Sequence, residues 1–453
     1  MQNRNITMTE GPLLGNILRY TFPIILTGLL QLLFNAADLV VVGQFCGSNS
    51  VGAVGATSSL THLIVNLFIG LSVGAGVSAA QAIGSGREEE IHRTVHTAVP
   101  LALVSGVVLT LVGIPLAPLM LQWMGTPTEY VHLSALYMQV YFAGMVPMMV
   151  YNFVAAILRA AGDTRNPMVH LTLAGAVNVV LNVLFVTLFQ MDVAGVALAT
   201  SLSQVLAAAL ELRTLCRRPD ACRLLWRQMR FYRVPLLRIV RIGIPAGIQS
   251  SLFSISNVII QSTINSFGPL VGSGNAAGSS VEGFSYTIMN AFSQAAMNFT
   301  GQNVGAHNYP RVRKIMTSCL LCVTGCGLLF GSLTYFGAEP LLGLYLSDSA
   351  EAVQYGVTRL AYLCLFHFLC GQMEVTSGVI RGMGVSVTPM VLTVLSVCVF
   401  RLCWLWWIFP PLGGELGDLF VSYPISWGLN ILSLLAVYVV VIRRRLRMEK
   451  AAL

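Results

Sequence analysis

Asp38, Asn178, Asn182 and Thr200 bring oxygen-bearing side chains into stretches that are otherwise apolar. One carboxylate, two amide oxygens and a hydroxyl form a hard-oxygen set, which suits a small cation or a carboxylate that takes up a proton. Asn178 and Asn182 are four residues apart, so on a helix they face the same way. At 1.5 Å per residue, Asp38 and Thr200 lie roughly 8 and 10 Å from the near ends of their segments, a similar depth to the two asparagines. A simpler role is also open, in which Asp38 hydrogen-bonds the asparagines and fastens helices together. Few other ionisable groups share such surroundings: Glu282, Glu374 and Arg401, with His62 and His367 as further candidates. Glu282 and Arg401 lie at comparable depth and could form an ion pair. Glu374 could attract a cation or carry a proton. The histidines have no acidic partner in sequence and read as polar residues packed in the core.

The elements that carry these residues follow from composition. Of 453 residues, 55% are hydrophobic and only 10% charged, against roughly 25% charged in a soluble protein. A soluble enzyme, a disordered chain and a disulfide scaffold are excluded. Apolar stretches long enough to cross a bilayer run roughly over 15–43, 52–84, 94–116, 132–158, 167–189, 193–214, 237–267, 275–304, 315–338, 355–380, 388–410 and 416–442. The expected fold is an all-α integral membrane protein with twelve transmembrane helices. Pro23 and Pro245 should bend the first and seventh, because a proline ring cannot join the hydrogen-bond ladder.

Charge gives orientation. Of 26 Lys and Arg, 24 fall in the N-terminal segment, the even-numbered connections and the C-terminal tail. The odd connections carry acids instead, among them Glu129, Asp192, Asp348 and Glu415. Both termini are therefore expected in the cytoplasm, in a plasma-membrane protein. The connection from Arg213 to Arg241 holds nine arginines, with Leu224, Leu225, Trp226, Met229, Phe231 and Tyr232 between them. That pattern suggests a helix on the membrane surface rather than a nucleic-acid site. Cys319, Cys322 and Cys326 could share a helix face, yet no acid or histidine nearby completes a metal site. They read as reduced, packed cysteines.

The two halves repeat. Pro23 and Asn35 recur as Pro245 and Asn257 (257 − 35 = 222), and Arg159, Gly162, Pro167 and Met168 recur as Arg381, Gly384, Pro389 and Met390 (381 − 159 = 222). Gln81 and Gly84 recur as Gln302 and Gly305 (302 − 81 = 221), and Gly195 and Thr200 as Gly417 and Ser422 (417 − 195 = 222). Residues 1–212 then form an N-terminal lobe, 213–236 a basic linker, 237–442 a C-terminal lobe and 443–453 a basic tail. Two pseudo-symmetric six-helix lobes are the plan of a secondary transporter. In the second lobe Phe400 and Trp404 replace Asn178 and Asn182, and Glu374 stands where the first has Asn152.

LRAAGDTRNPM (Leu158–Met168), PIILTGLLQLLFNAADLVVVG (Pro23–Gly43) and GQNVGAHNYPRVRK (Gly301–Lys314) resemble the bacterial multidrug and toxic compound extrusion (MATE) transporters over nearly the whole chain. The resemblance implies an antiporter, driven by Na⁺ or H⁺, that expels amphipathic organic cations through a cavity between the lobes. It assigns the coupling ion to Asp38, Asn178, Asn182 and Thr200. Val179 departs from members that carry a second acid there, which leaves the ion open. Candidates for the substrate cavity are Gln31, Asn35, Met148, Asn152, Glu282, Met289, Glu374 and Arg401. Met145, Met149, Phe284, Tyr286 and Met297 are further candidates, since Met and aromatic surfaces tolerate varied ligands. The expected partners are a drug-like small molecule and the bilayer, with no cofactor beyond the ion, no nucleic acid, no enzymatic activity and a monomeric state. A flippase for a lipid-linked oligosaccharide would share the two-lobed plan, but would call for a more basic interior than Arg401 alone provides.

Overall fold

The computed structural model describes residues 6–452, apart from 125, 127, 128, 347 and 348 and the side chains of 48, 49, 56, 58–60, 62 and 448–452. Arg4, Asp348 and the side chains of His62 and Lys450 thus lie outside the described residues. No strand occurs among those described.

The first half holds α1 (Leu13–Phe45), α2 (Ser48–Ser85), α3 (Glu88–Trp123), α4 (Val131–Ala143), α5 (Met145–Ala160), α6 (Arg165–Val183) and α7 (Asp192–Cys216). The second holds α8 (Arg233–Asn265), α9 (Pro269–Gly305), α10 (Tyr309–Phe336), α11 (Ala338–Gly343), α12 (Ala350–Leu363), α13 (His367–Gly382), α14 (Val387–Thr393), α15 (Phe400–Cys403) and α16 (Leu416–Ala452). A π-helical turn, Leu184–Leu188, extends α6, and two more, Val394–Val399 and Trp404–Ile408, flank α15. Among the described residues, nine helices are long and apolar enough to cross a membrane. Two further spans are bent pairs, α4 with α5 and α12 with α13, each broken by 49°. The 37-residue α9 is the remaining long element. It is less apolar than the others because it carries Asn275, Ser285, Ser293, Asn298, Gln302 and Asn303, all of which are buried.

Contacts divide the chain into two compact units, one spanning Leu26–Ser251 and including Ile6, the other combining Thr7–Ile25 with Leu252–Leu453. Both α1 and α8 are therefore divided between units. Within the second unit, the Arg311 guanidinium donates to the carbonyls of Met8, Glu10 and Gly11, and Tyr20 meets Phe299 edge-on at 5.4 Å. Within the first, α2 and the start of α8 cross at glycines. A Cβ on Gly70 would lie 2.2 Å from the Gly247 nitrogen, and one on Gly74 2.3 Å from the Ile239 oxygen. Pro23 and Pro245 sit inside α1 and α8, and neither helix is interrupted there.

The repeated R-x2-G-x4-P has a local cause. Gly162 and Gly384 both take φ +83°, a left-handed conformation that closes the preceding helix. Asp163 N–H bonds Leu158 O at 2.9 Å, and Val385 N–H bonds Ile380 O at 3.2 Å. Pro167 and Pro389 are each the third residue of the next helix, where a missing N–H leaves no ladder bond unmade.

The linker corrects the sequence reading. In place of a surface helix over 224–232 there is one 3-10 turn, Trp226–Gln228. Its backbone is engaged by α3: Leu225 N–H donates to His96 Nε2 at 3.0 Å, Arg230 N–H to His96 O at 3.2 Å, and Tyr232 N–H to Thr97 Oγ1 at 3.2 Å. Backbone groups held this way are not available to a helix.

Candidate functional site

Asp38 lies in the last third of α1, and Asn178 and Asn182 lie one turn apart at the end of α6, just before the π-turn. Thr200 sits in the first half of α7. All four belong to the first unit and meet there. Asn182 Nδ2 donates to Asp38 Oδ1 and, at 3.3 Å, to Asn178 Oδ1. Asn178 Nδ2 donates to Thr200 Oγ1 at 3.3 Å. Turning the Asn178 amide over would place its nitrogen 2.9 Å from Asp38 Oδ1 and let its oxygen accept from the Thr200 backbone N–H at 3.3 Å. Asn178 therefore has partners in both orientations.

Asn182 is fully buried, and its Oδ1 accepts no hydrogen bond. A buried carbonyl oxygen without a hydrogen-bond partner, beside a carboxylate, has the chemistry to ligate a small cation. The set holds a single carboxylate, and among the described residues no group of three His, Cys, Asp or Glu could hold a metal. One negative charge balances a monovalent ion or a proton. Beside Thr200, a cavity of about 30 Å³ is bounded by Tyr141, Gly144, Met148, Ser201 and Gln204, at the break between α4 and α5. It is large enough to admit a water, and the Gln204 Oε1 on its wall accepts no hydrogen bond from the protein.

In the second unit three of the four corresponding positions are apolar or aromatic, and Ser422 alone keeps a hydroxyl in place of Thr200. Ile260 replaces Asp38 (260 − 38 = 222) and is buried. The Phe400 and Trp404 rings lie with centroids 5.8 Å apart, tilted by 44°, and Trp404 Nε1 donates to Asp418 O at 3.0 Å.

Two expectations for this unit need correction. Glu282 pairs with Arg359, not Arg401: Glu282 Oε2 accepts from Arg359 Nη2 at 2.5 Å and from Nε at 3.2 Å. Arg359 Nη1 also donates to Asn275 Oδ1 at 2.7 Å. Arg401 instead donates to Ser426 Oγ at 2.9 Å, with its guanidinium 3.9 Å from the centre of the Tyr423 ring. His367 does have an acidic neighbour: its Nε2 lies 3.5 Å from Glu282 Oε1, brought from α9 to α13 by packing. Arg359 is a residue the sequence reading missed. Its signal was that 24 of 26 basic residues had been placed outside the spans, leaving Arg359 beside Arg401.

Among the other cavity candidates, Gln31 and Asn35 are exposed on α1, and Met148 and Asn152 are half-buried on α5. Asn152 Nδ2 caps the Met148 carbonyl at 2.8 Å. Met289 is fully buried in the second unit, and Met145 and Met149 in the first. Glu374 is half-buried on α13, and among the described residues its carboxylate makes no ion pair.

Two matches to the MatE family cover residues 23–184 and 245–407, and their starts are 222 residues apart (245 − 23), the offset of the internal repeat. The chain is 27% identical to the "Probable multidrug resistance protein YpnP" of Bacillus subtilis, over 87% of this chain and 88% of that one. It is 25% identical to the "Probable multidrug resistance protein NorM" of Thermotoga maritima, over 85% and 83%. A crystal structure described as "MATE in complex with MaL6" superposes with a TM-score of 0.90 at 23% identity, covering 99% of this chain and all of that one. With the repeat, the helical fold and a twice-matched family on one chain, this protein belongs to the MatE family of multidrug and toxic compound extrusion transporters.

Proposed function

We propose that the protein is a cation-coupled antiporter that exports amphipathic organic cations, with Asp38 as the residue that takes up and releases the coupling Na⁺ or H⁺. The observation that carries this reading is the orphaned, buried Asn182 oxygen next to Asp38, in a set with one carboxylate. A charge left in such a place is costly, and loading the ion removes it. An ion that binds one conformation better than another shifts the balance between them by that difference. Relatives named as multidrug resistance proteins support a drug-like substrate, and the half-buried Glu374 offers an organic cation a counter-charge. The positive-inside pattern supports cytoplasmic termini in the plasma membrane, and on this reading the chain works as a monomer.

A pyrophosphate-carrying lipid finds less support. Arg359 is held by Glu282 and Asn275, and Arg401 by Ser426 and Tyr423. The test is export of a fluorescent organic cation from proteoliposomes under a Na⁺ gradient and, separately, a pH gradient. One of the two gradients should drive export. Export under neither, from folded protein, contradicts the reading.

A further inference from the structure

The first unit has a second polar site at the opposite end of α6 and α7 from Asp38. A cavity of about 420 Å³ opens there, lined by Asn166 and His170 of α6, Arg213 and Thr214 of α7, and Arg217 and Arg218 just beyond. That volume falls within the range of ligand sites, roughly 300–1,000 Å³. Arg213 and Arg217 are four residues apart, so their side chains share a face. Both are exposed, and among the described residues neither forms an ion pair.

Asp163 also lines the cavity, and the two rim acids, Asp163 and Asp220, both lie against Arg218. Asp220 receives Arg218 Nε at 2.9 Å and Nη2 at 2.6 Å. Burial opposes its ionisation, yet these contacts hold its carboxyl below the ordinary range. Asp163 accepts from the Asn166 backbone N–H at 3.1 Å and from its Nδ2 at 2.6 Å, with Arg218 3.9 Å away. Beneath them, the fully buried Glu211 faces His170 at 3.4 Å. Among the described residues Arg213 and Arg217 pair with neither rim acid, which leaves two planar forks with the geometry to bracket a phosphate. From this rim, large apolar side chains run along the same two helices: Val169 and Leu173 on α6, and Leu202 and Val205 on α7, are all exposed. A phosphate seated in the cavity would have its acyl chains lying on that strip.

We infer that this cavity binds the phosphodiester headgroup of an anionic membrane phospholipid, with Arg213 and Arg217 holding the phosphate. The inference does not depend on which ion or substrate the protein transports. The test uses full-length protein in phosphatidylcholine nanodiscs with graded phosphatidylglycerol, reading retained lipid by native mass spectrometry. Arg213→Gln/Arg217→Gln should weaken phosphatidylglycerol retention about thirtyfold. Arg227→Gln/Arg230→Gln, which removes equal charge from the same basic connection, should change it by less than about threefold. Equal losses in the two variants would reduce the site to general surface attraction and overturn the inference. Displacement of the lipid by excess inorganic phosphate would overturn the lipid assignment in favour of a free anion. If the glutamine pair does not fold, Arg213→Lys/Arg217→Lys serves instead. It keeps the charge but loses the forks, and unchanged retention would overturn the inference.

Discussion

Asp38 and Glu282 are both half-buried carboxylates among helices, yet their partners give them different capacities. Asp38 meets only neutral amides, one of which keeps an unused oxygen. Glu282 is neutralised by Arg359, with Asn275 and His367 completing the cluster. A compensated pair of this kind holds structure. Glu282→Ala alone leaves Arg359 buried and uncompensated and should destabilise by about 3–5 kcal/mol, read as a lowered melting temperature in detergent. Glu282→Leu with Arg359→Met removes both charges and should restore most of that loss. A double variant no more stable than the single would mean that the pair is not the cause. Asp38 was legible in the sequence because it is the lone acid of an apolar stretch. The pairing of Glu282 was not, because depth along a helix says nothing about which side chains face each other. Arg359 lies only a few residues inside the expected span at 355–380 and so passed as a boundary residue.

Among the elements, α2 and the start of α8 approach closely because Gly70, Gly74, Gly243 and Gly247 present no side chains. In lipid there is no hydrophobic drive between helices, so such contacts rest on packing. Gly70→Ala should destabilise by about 1–3 kcal/mol, since its methyl group would overlap Gly247. Gly283→Ala on α9, where a Cβ meets nothing within 4 Å, should be neutral or stabilising. Thermal unfolding of both proteins checks this, and equal behaviour would remove the role given to the crossing. Apolar stretches marked the spans because lipid-facing surfaces must be apolar, and α9 is the weakest of them because polar residues line its buried face. Hydropathy misjudged the linker, because the hydrogen bonds that hold residues 225–232 come from His96 and Thr97, more than a hundred residues away.

For the whole molecule, the 222-residue repeat gives one fold twice, down to the matched φ of Gly162 and Gly384. It does not give one site twice. Asp38, Asn178, Asn182 and Thr200 have become Ile260, Phe400, Trp404 and Ser422 in the second copy. The repeat and the substitutions could both be read from sequence, because an offset that holds from end to end aligns every position with its counterpart. How α1 and α8 divide between the compact units could not, since that depends on tertiary contacts. If one copy alone keeps the ion set, coupling rests on Asp38. The most direct test is gradient-driven export of an organic cation from proteoliposomes containing Asp38→Asn, a nearly isosteric change that removes the charge and spares the fold. Export against a gradient should fall to the level of protein-free vesicles while the melting temperature is retained. Export by Asp38→Asn at the unaltered protein's rate would contradict the account.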